Sequence, residues 1–406
     1  MGIREALKKR SYTDPITFRM FIYCILMMVG VALRTYVTHS VTVVWMLNII
    51  GLIVCFYPNM RRISRRTLYE SVLFILSCIV TLVFSSEYFN RSIKSIGTNI
   101  NILVVPLYLI ILGYIFRSKP LHDGDLEKLC RLISALGTFA FLFAWAVNGD
   151  ELIRAITGRV RIYRADVDGF FYNKNIYGAF VTLSIASDLY LYGIRSSRKR
   201  YLLIVIKAIA VALSFSRAAL LQLVILLFVF LWTKKSHRIR DILLLAVLVG
   251  IVAVILVTSE SVIQFIRDSI LRVDIGDAGR ATSRRRAMQT IQSSPLVLAF
   301  GVGFSGIDSL NLDLDNTYLY LILTGGILKV AFFAFWYGTA FKRILALKHI
   351  NRLLYSMSLS VSLSYLAYAY FESVAVLELG LLNFLTLLYV FIIPAGYVRD
   401  KSSLSL

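Results

Sequence analysis

Residues 218–233 read AALLQLVILLFVFLWT, a run without charged side chains that lies between Arg217 and Lys234. An α-helix needs roughly 20 mostly apolar residues to cross the hydrocarbon core of a bilayer, which is about 30 Å thick. Apolar runs of this kind recur from one end of the 406-residue chain to the other. The pattern predicts an all-α, polytopic integral membrane protein in which residues 1–406 form a single transmembrane domain.

The apolar runs and the charges between them predict about twelve transmembrane helices. The predicted spans are 16–35, 41–59, 67–85, 97–117, 128–148, 173–194, 200–215, 218–233, 241–258, 317–341, 352–371 and 377–397. Lys and Arg are concentrated at both chain ends and in every second connection, in segments 4–10, 61–66, 117–128, 195–200, 234–240, 342–352 and 399–401. By the positive-inside rule these segments are cytoplasmic, so both termini are predicted to lie in the cytoplasm.

Two outer connections are basic, against this trend. The first, at about 148–172, holds Arg154, Arg159, Arg161 and Arg164. The second, at 259–316, joins the ninth and tenth predicted helices and holds Arg267, Arg272, Arg280 and Arg284 to Arg286. An anionic ligand at the outer face would explain the excess of arginine. The alternative is that long loops cross the membrane regardless of their charge.

The long outer segment has helical features of its own. Residues 261–273 carry apolar side chains near helical spacing, which predicts an amphipathic helix at the membrane interface. Residues 284–292 are a candidate for a second helix. Residues 296–306 are apolar and rich in glycine but too short to span the membrane, so they are either re-entrant or a tight turn.

Two polar features at the outer face are functional candidates. Arg217 lies between two apolar stretches with no ordinary loop between them, so the chain must turn sharply there. An ionisable residue at such a place suggests function, and the alternative is an arginine that extends to lipid headgroups. Asp308, Asp313 and Asp315 precede the tenth span, where a helix cap would account for one of the three.

Other charged residues fall inside the predicted spans. Lys207 is close enough to the cytoplasmic side to extend its ammonium group to the interface. Lys329 is deeper and could pair with Glu372 or Glu378. Asp188 is interpreted as structural.

The sequence predicts no cofactor, no metal site and no nucleic-acid partner. Cys24, Cys55, Cys78 and Cys130 show no CxxC spacing, and the histidines are scattered. The net charge of +21 is accounted for by loops beside membrane helices rather than by a surface for nucleic acid.

Four segments resemble the O-antigen ligase and polymerase superfamily (Wzy-like) of bacterial membrane glycosyltransferases. They are Asp168 to Gly178 with its Asn173 and Asn175, Ser214 to Leu220 with its Ser-Arg pair, Gly279-Arg280 followed by Ser294-Pro295 and Gly301-Val302-Gly303, and Asp315 to Leu319 with Gly326. Their order and spacing are fairly specific, and they cover the second half of the chain. The first five spans are similar to the family only in hydropathy.

The resemblance implies transfer of a glycan from undecaprenyl pyrophosphate, in the outer leaflet of the bacterial inner membrane, to a glycan acceptor. It implies a catalytic group of Asp315, Arg217 and Arg280, with Arg217, Arg280 and Arg284 at the pyrophosphate. Arginine suits this role because it binds phosphate oxygens in pairs. Further residues expected at the substrate are Arg161, Arg164, Asn173, Asn175, Asn316 and Tyr318. A chain-length regulator is an expected protein partner, besides the bilayer.

Two departures from the family pattern bear on the activity. Ligases typically carry His where this chain has Asp315, which favours a polymerase of repeat units in O-antigen, capsule or exopolysaccharide synthesis. Arg284 stands where an aromatic residue is usual, so either Arg280 or one of Arg284 to Arg286 makes the main phosphate contact. A ligase acting on lipid A core, a flippase for the lipid-linked unit and a scaffold are the alternative functions, in that order.

Overall fold

A computed structural model of the chain describes most of the helical bundle. The described residues are 15–39, 41–56, 123–157, 167–234, 278–303, 316–372 and 381–397, with positions between 68 and 83 and the single residues Ile307, Leu310 and Leu314. Within these residues the structure consists of helices and turns, without a strand. The predicted all-α class is therefore confirmed for this part of the chain.

The helices of the described residues are numbered in chain order. The helices are α1 (Pro15–Leu33), α2 (Val41–Phe56), α3 (Asp123–Val147), α4 (Gly149–Ile156), α5 (Lys174–Ile194), α6 (Arg198–Ala212), α7 (Arg217–Lys234), α8 (Ala278–Gln292), α9 (Pro295–Phe300), α10 (Thr317–Ile350), α11 (Arg352–Phe371) and α12 (Leu381–Leu387). A π-helical segment, Arg34–Thr38, extends α1, and another, Leu388–Ile392, extends α12.

Helix α5 is the centre of the bundle. Every residue from Tyr177 to Tyr192 is buried, so this helix is enclosed on all sides. It packs against α3, α6, α7, α11 and α12. A largely apolar helix is expected in such a place, because all of its faces are removed from water.

Among the described helices, α7 and α11 share the most extensive contact. They are antiparallel, since the Nε of Arg352 at the start of α11 donates to the Thr233 carbonyl oxygen near the end of α7 at 3.0 Å. Helix α11 contributes a series of small buried side chains, which permit close approach of neighbouring helices. They are Ser356, Ser358, Ser360, Ser362 and Ser364.

The helices alternate in direction, so that two ends of the bundle differ in chemistry. One end, called here the site end, contains the starts of α5, α7 and α10 and the last residues of α11. The opposite end, the basic end, carries Arg195, Arg198, Lys234 and Arg352. This alternation follows the sequence of charged and uncharged connections from which the topology was predicted.

The predicted number of transmembrane helices is supported only in part. Four helices of the described residues are long and apolar enough to cross a membrane, at Phe18–Thr38, Gly124–Val147, Arg217–Lys234 and Thr317–Ile350. The predicted spans 97–117 and 241–258 and the interfacial helix 261–273 lie outside the described residues. The total of about twelve transmembrane helices therefore remains a prediction.

Lys207 corrects one expectation from the sequence. Its ammonium group does not extend to the interface but lies 2.6 Å from the Asp188 carboxylate, and both side chains are fully buried. The ammonium also donates to the Ser134 carbonyl oxygen at 2.8 Å. Burying a lysine is tolerable here because a carboxylate and a carbonyl oxygen replace its water.

Candidate functional site

The entry to α5 is built from the asparagines predicted at the substrate. The Asn173 side chain caps the helix by accepting from the Asn175 backbone N–H at 2.7 Å. The Asn175 amide donates to the Glu372 carboxylate at the end of α11. The preceding segment is held by the π-helical extension of α1, because the Arg34 guanidinium lies 3.6 Å from the centroid of the Tyr172 ring.

The entry to α10 is fastened to the same end of α11. The Asn316 side chain accepts from the Leu319 backbone N–H at 3.0 Å and donates to the Tyr370 carbonyl oxygen at 2.9 Å. The Thr317 hydroxyl donates to the Glu372 carbonyl oxygen at 2.6 Å. Tyr318, expected at the substrate, donates its hydroxyl hydrogen to the Leu366 carbonyl oxygen at 2.8 Å.

Asn316 also changes the interpretation of the acidic group before α10. A helix cap was the alternative explanation for one of these acids, and the cap is made by Asn316. Asp308, Asp313 and Asp315 themselves lie outside the described residues. The residues on either side of Asp315, Leu314 and Asn316, are both buried.

Arg217 stands at a sharp turn, as the sequence predicted. Phe215 adopts a left-handed conformation with φ 55°, and the Ser216 hydroxyl accepts from the Ala219 backbone N–H at 3.2 Å. Arg217 is the first residue of α7 and is exposed. A methyl group built on Gly178 would lie 2.6 Å from the Ala219 Cβ, so the first turns of α5 and α7 are in close contact.

Helix α8 packs one of its faces against the bundle, and an arginine lies on that face. Ala287 and Ile291 are buried in a second, smaller apolar cluster that includes Leu314 and Leu323. Arg284 is half-buried on the same helical face, and its Nε is buried with no hydrogen-bond partner among the described residues. Helical spacing places position 280 one turn before Arg284 on this face.

Arg285 and Arg286 lie on the other faces of α8 and are exposed. Among Arg284 to Arg286, the helix therefore selects Arg284 as the residue that faces the cluster beside the entry to α10. Helix α8 contains Arg280, and it also contains the predicted second helix, 284–292. The side chain of Arg280 lies outside the described part of the structure. The choice between Arg280 and Arg284 stays open, whereas Arg285 and Arg286 are less suitable.

The glycine-rich segment after α8 forms a short helix and a turn against a break in α10. Gly326 interrupts α10 with φ 63° and ψ −165°, so the predicted span consists of a short and a long helical segment that meet at a kink. A Cβ on Gly326 would lie 2.1 Å from the Ala299 carbonyl oxygen. The Val302 backbone N–H donates to the Leu323 carbonyl oxygen at 2.6 Å, which joins the two backbones directly.

Lys329 lies beside this break. Its ammonium donates to the Thr324 hydroxyl at 3.0 Å. In a membrane helix a break frees backbone carbonyl groups, and polar side chains and neighbouring segments replace the lost partners. Here the Val302 backbone N–H, just after α9, replaces the lost partner of the Leu323 carbonyl oxygen, and Lys329 adds a hydrogen bond to a side chain beside the break.

Some predicted site residues lie together at the site end, and others fall outside the described residues. Arg217, Asn173, Asn175, Asn316 and Tyr318 all lie there. Arg161 and Arg164 are outside the described residues. The sequence did not indicate that Glu372 and Tyr370 join the entries of α5 and α10, because no local motif surrounds them and the contact depends on how distant helices pack.

The bundle and its site end define a multi-pass α-helical membrane protein with a polar site where several helices begin. A family model described as O-antigen ligase matches residues 202–334, from α6 into α10. Over these residues the match confirms the resemblance to the O-antigen ligase and polymerase superfamily. The matched part includes Arg217, Arg284 and Asn316. No curated protein matches the chain.

Proposed function

We propose that the protein polymerises oligosaccharide repeat units carried on undecaprenyl pyrophosphate, for O-antigen, capsule or exopolysaccharide. The observation that carries this proposal is that Arg217 lies at the same end of the bundle as the asparagine-capped starts of α5 and α10. Arg284 adds a guanidinium group with an unsatisfied buried nitrogen beside α10. Such a group is suited to a ligand with many acceptor oxygens, and pyrophosphate is one.

In the proposed reaction, a hydroxyl oxygen of the incoming unit attacks the anomeric carbon of the growing glycan. The bond from that carbon to the pyrophosphate oxygen breaks, and its electron pair leaves with the phosphate. Arg217, with Arg280 or Arg284, stabilises the developing negative charge. Asp315 orients the attacking hydroxyl and accepts its proton as the new bond forms, although an unperturbed carboxylate with a pKa of about 4 is a weak base.

The proposed location is the bacterial inner membrane, with the site end at the outer leaflet and both termini in the cytoplasm. The support is the collection of Arg195, Arg198, Lys234 and Arg352 at the opposite end of the bundle, as the positive-inside rule expects of a cytoplasmic face. A chain-length regulator is the proposed protein partner.

A ligase is the second candidate, because the matching family is described as O-antigen ligase. Both activities would use the same donor and the same arginines, and they differ in the acceptor. Deletion of the gene separates them. Loss of a polymerase leaves single repeat units on the final acceptor, whereas loss of a ligase leaves polymer on the lipid carrier and a bare acceptor.

The site assignment is tested by complementing the deletion strain with variants. Arg217→Ala and Arg280→Ala are expected to abolish long polymer on gels of surface polysaccharide, while Arg198→Ala, an exposed arginine at the basic end, leaves it normal. Normal polymer length and amount with both site variants would contradict the assignment. Build-up of the lipid-linked unit at the cytoplasmic leaflet in the deletion strain would instead indicate a flippase.

A further inference from the structure

Glu372 occupies a junction between the segments of the candidate site. Its carboxylate accepts a hydrogen bond from the Asn175 amide of α5, and its carbonyl oxygen accepts one from the Thr317 hydroxyl of α10 at 2.6 Å. Its own backbone N–H donates to the Tyr368 carbonyl oxygen at 3.1 Å, which ends α11. Three helices are therefore fixed relative to one another at this residue.

The hydrogen bond from Asn175 to Glu372 determines which way the Asn175 amide faces. A carboxylate is an acceptor only, so the NH₂ group of the asparagine must be directed at it. The carbonyl oxygen of the same planar amide then faces the other way. No hydrogen bond to this oxygen comes from the described residues, and Asn175 is only half-buried.

We propose that Glu372 is a positioning residue of the site, which orients Asn175 so that its amide oxygen accepts a hydrogen bond from a hydroxyl group of the lipid-linked glycan. This inference rests on the proposed function, because it assumes a glycan at the site end. It goes beyond that function in naming a residue outside the part of the chain that the family model matches, 202–334. It also gives Asn175 a defined ligand group.

The physical reason for a carboxylate at position 372 is the strength of the bond. A hydrogen bond to a charged acceptor holds a donor more firmly than a neutral one. An amide fixed before the substrate arrives loses less conformational entropy on binding. A glycan hydroxyl is a donor that can complement the fixed oxygen, whereas a phosphate without a proton is not. Arg217 and the arginines of α8 remain the groups for the pyrophosphate.

The test uses the full-length protein in proteoliposomes, with the lipid-linked repeat unit extracted from membranes of the deletion strain as the probe. Glu372→Ala and Asn175→Ala are each expected to raise the half-saturating probe concentration by up to about tenfold, the value of one hydrogen bond between neutral groups. The double variant is expected to be no worse than either single variant, because the two residues act as a unit. The maximal rate should change by less than the half-saturating concentration.

Two further variants separate positioning from other roles. Glu372→Gln keeps the volume and one acceptor oxygen, so it should restore at least part of the affinity. Asn175→Asp places two carboxylates together and should be impaired, whereas Asn175→Asp combined with Glu372→Gln exchanges donor and acceptor and should recover activity. If Glu372→Ala does not fold, as judged by size-exclusion chromatography of the solubilised protein, this exchange pair decides the matter.

Several outcomes would overturn the inference. One is wild-type behaviour of Glu372→Ala or Asn175→Ala, and another is an exchange pair that is no more active than Asn175→Asp alone. A third is an inactive Glu372→Gln beside an unaffected Asn175→Ala, which would mean that the charge acts on the reaction directly. In each case an inactive Arg217→Ala would leave the proposed function intact, whereas a fully active Arg217→Ala would count against the proposed function itself.

Discussion

The Lys207 ammonium and the Asp188 carboxylate form an ion pair at 2.6 Å in the interior of the bundle, with both side chains fully buried. The pair joins α6 to the central helix α5, and the Ser134 hydroxyl of α3 donates to the same carboxylate. Two charges withdrawn from water attract each other strongly, but each depends on the other to offset its desolvation.

Removing one member of this pair should therefore destabilise the protein more than removing both. Lys207→Met is expected to cost about 3–5 kcal/mol, because it leaves a buried carboxylate without its counter-charge. The double variant with Lys207→Met and Asp188→Leu should regain much of this loss. Thermal unfolding of the solubilised protein measures both. Lys199→Met, an exposed lysine on the same helix, serves as the control and should unfold like the wild type.

A second prediction about stability concerns the break in α10. Gly326→Ala should destabilise the protein by at least about 2 kcal/mol, because a side chain strains a backbone with positive φ and meets the Ala299 carbonyl oxygen. Gly338→Ala in the same helix is the matched control, since a Cβ there meets nothing within 4 Å. It should be neutral or slightly stabilising in the same unfolding measurement. Equal effects of the two substitutions would argue against the break.

The faces of α8 predict different roles for neighbouring arginines. Arg284→Ala is expected to reduce polymer yield at least about tenfold, because it removes a guanidinium from the face beside α10. Arg285→Ala, one position away on an exposed face, should have little effect. Arg284→Lys should restore the yield only in part, since lysine cannot make two parallel hydrogen bonds to phosphate. Equal losses from Arg284→Ala and Arg285→Ala would contradict the assignment.

The two ends of the bundle should be labelled from opposite sides of the membrane. In a background with the native cysteines replaced by alanine, Val37→Cys at the site end is expected to react with a membrane-impermeant maleimide in spheroplasts. Ser196→Cys at the basic end should react only after permeabilisation. Both positions are exposed. The opposite labelling pattern would place the site end in the cytoplasm and exclude transfer at the outer leaflet.

The helical membrane class was available from the sequence alone. A continuous apolar run such as 218–233 has the pattern of a helix, which satisfies its own backbone hydrogen bonds within a bilayer, so the pattern determines the class without knowledge of the packing. The sharp turn at Arg217 also followed from the sequence, because no residues were left over for a loop. The polar positions Asn173 and Asn316 were identified as site candidates by local motifs.

The tertiary structure decided which of these residues meet, and it corrected two expectations. Lys207 is paired with Asp188 because α5 and α6 pack together, a contact that local hydropathy does not encode. The predicted span 317–341 is broken at Gly326 because the backbone of α9 approaches it. The role of Glu372 likewise depends on the ends of α5, α10 and α11 lying together. Hydrophobic patterns determine which segments become helices, whereas side-chain packing between distant segments determines their neighbours.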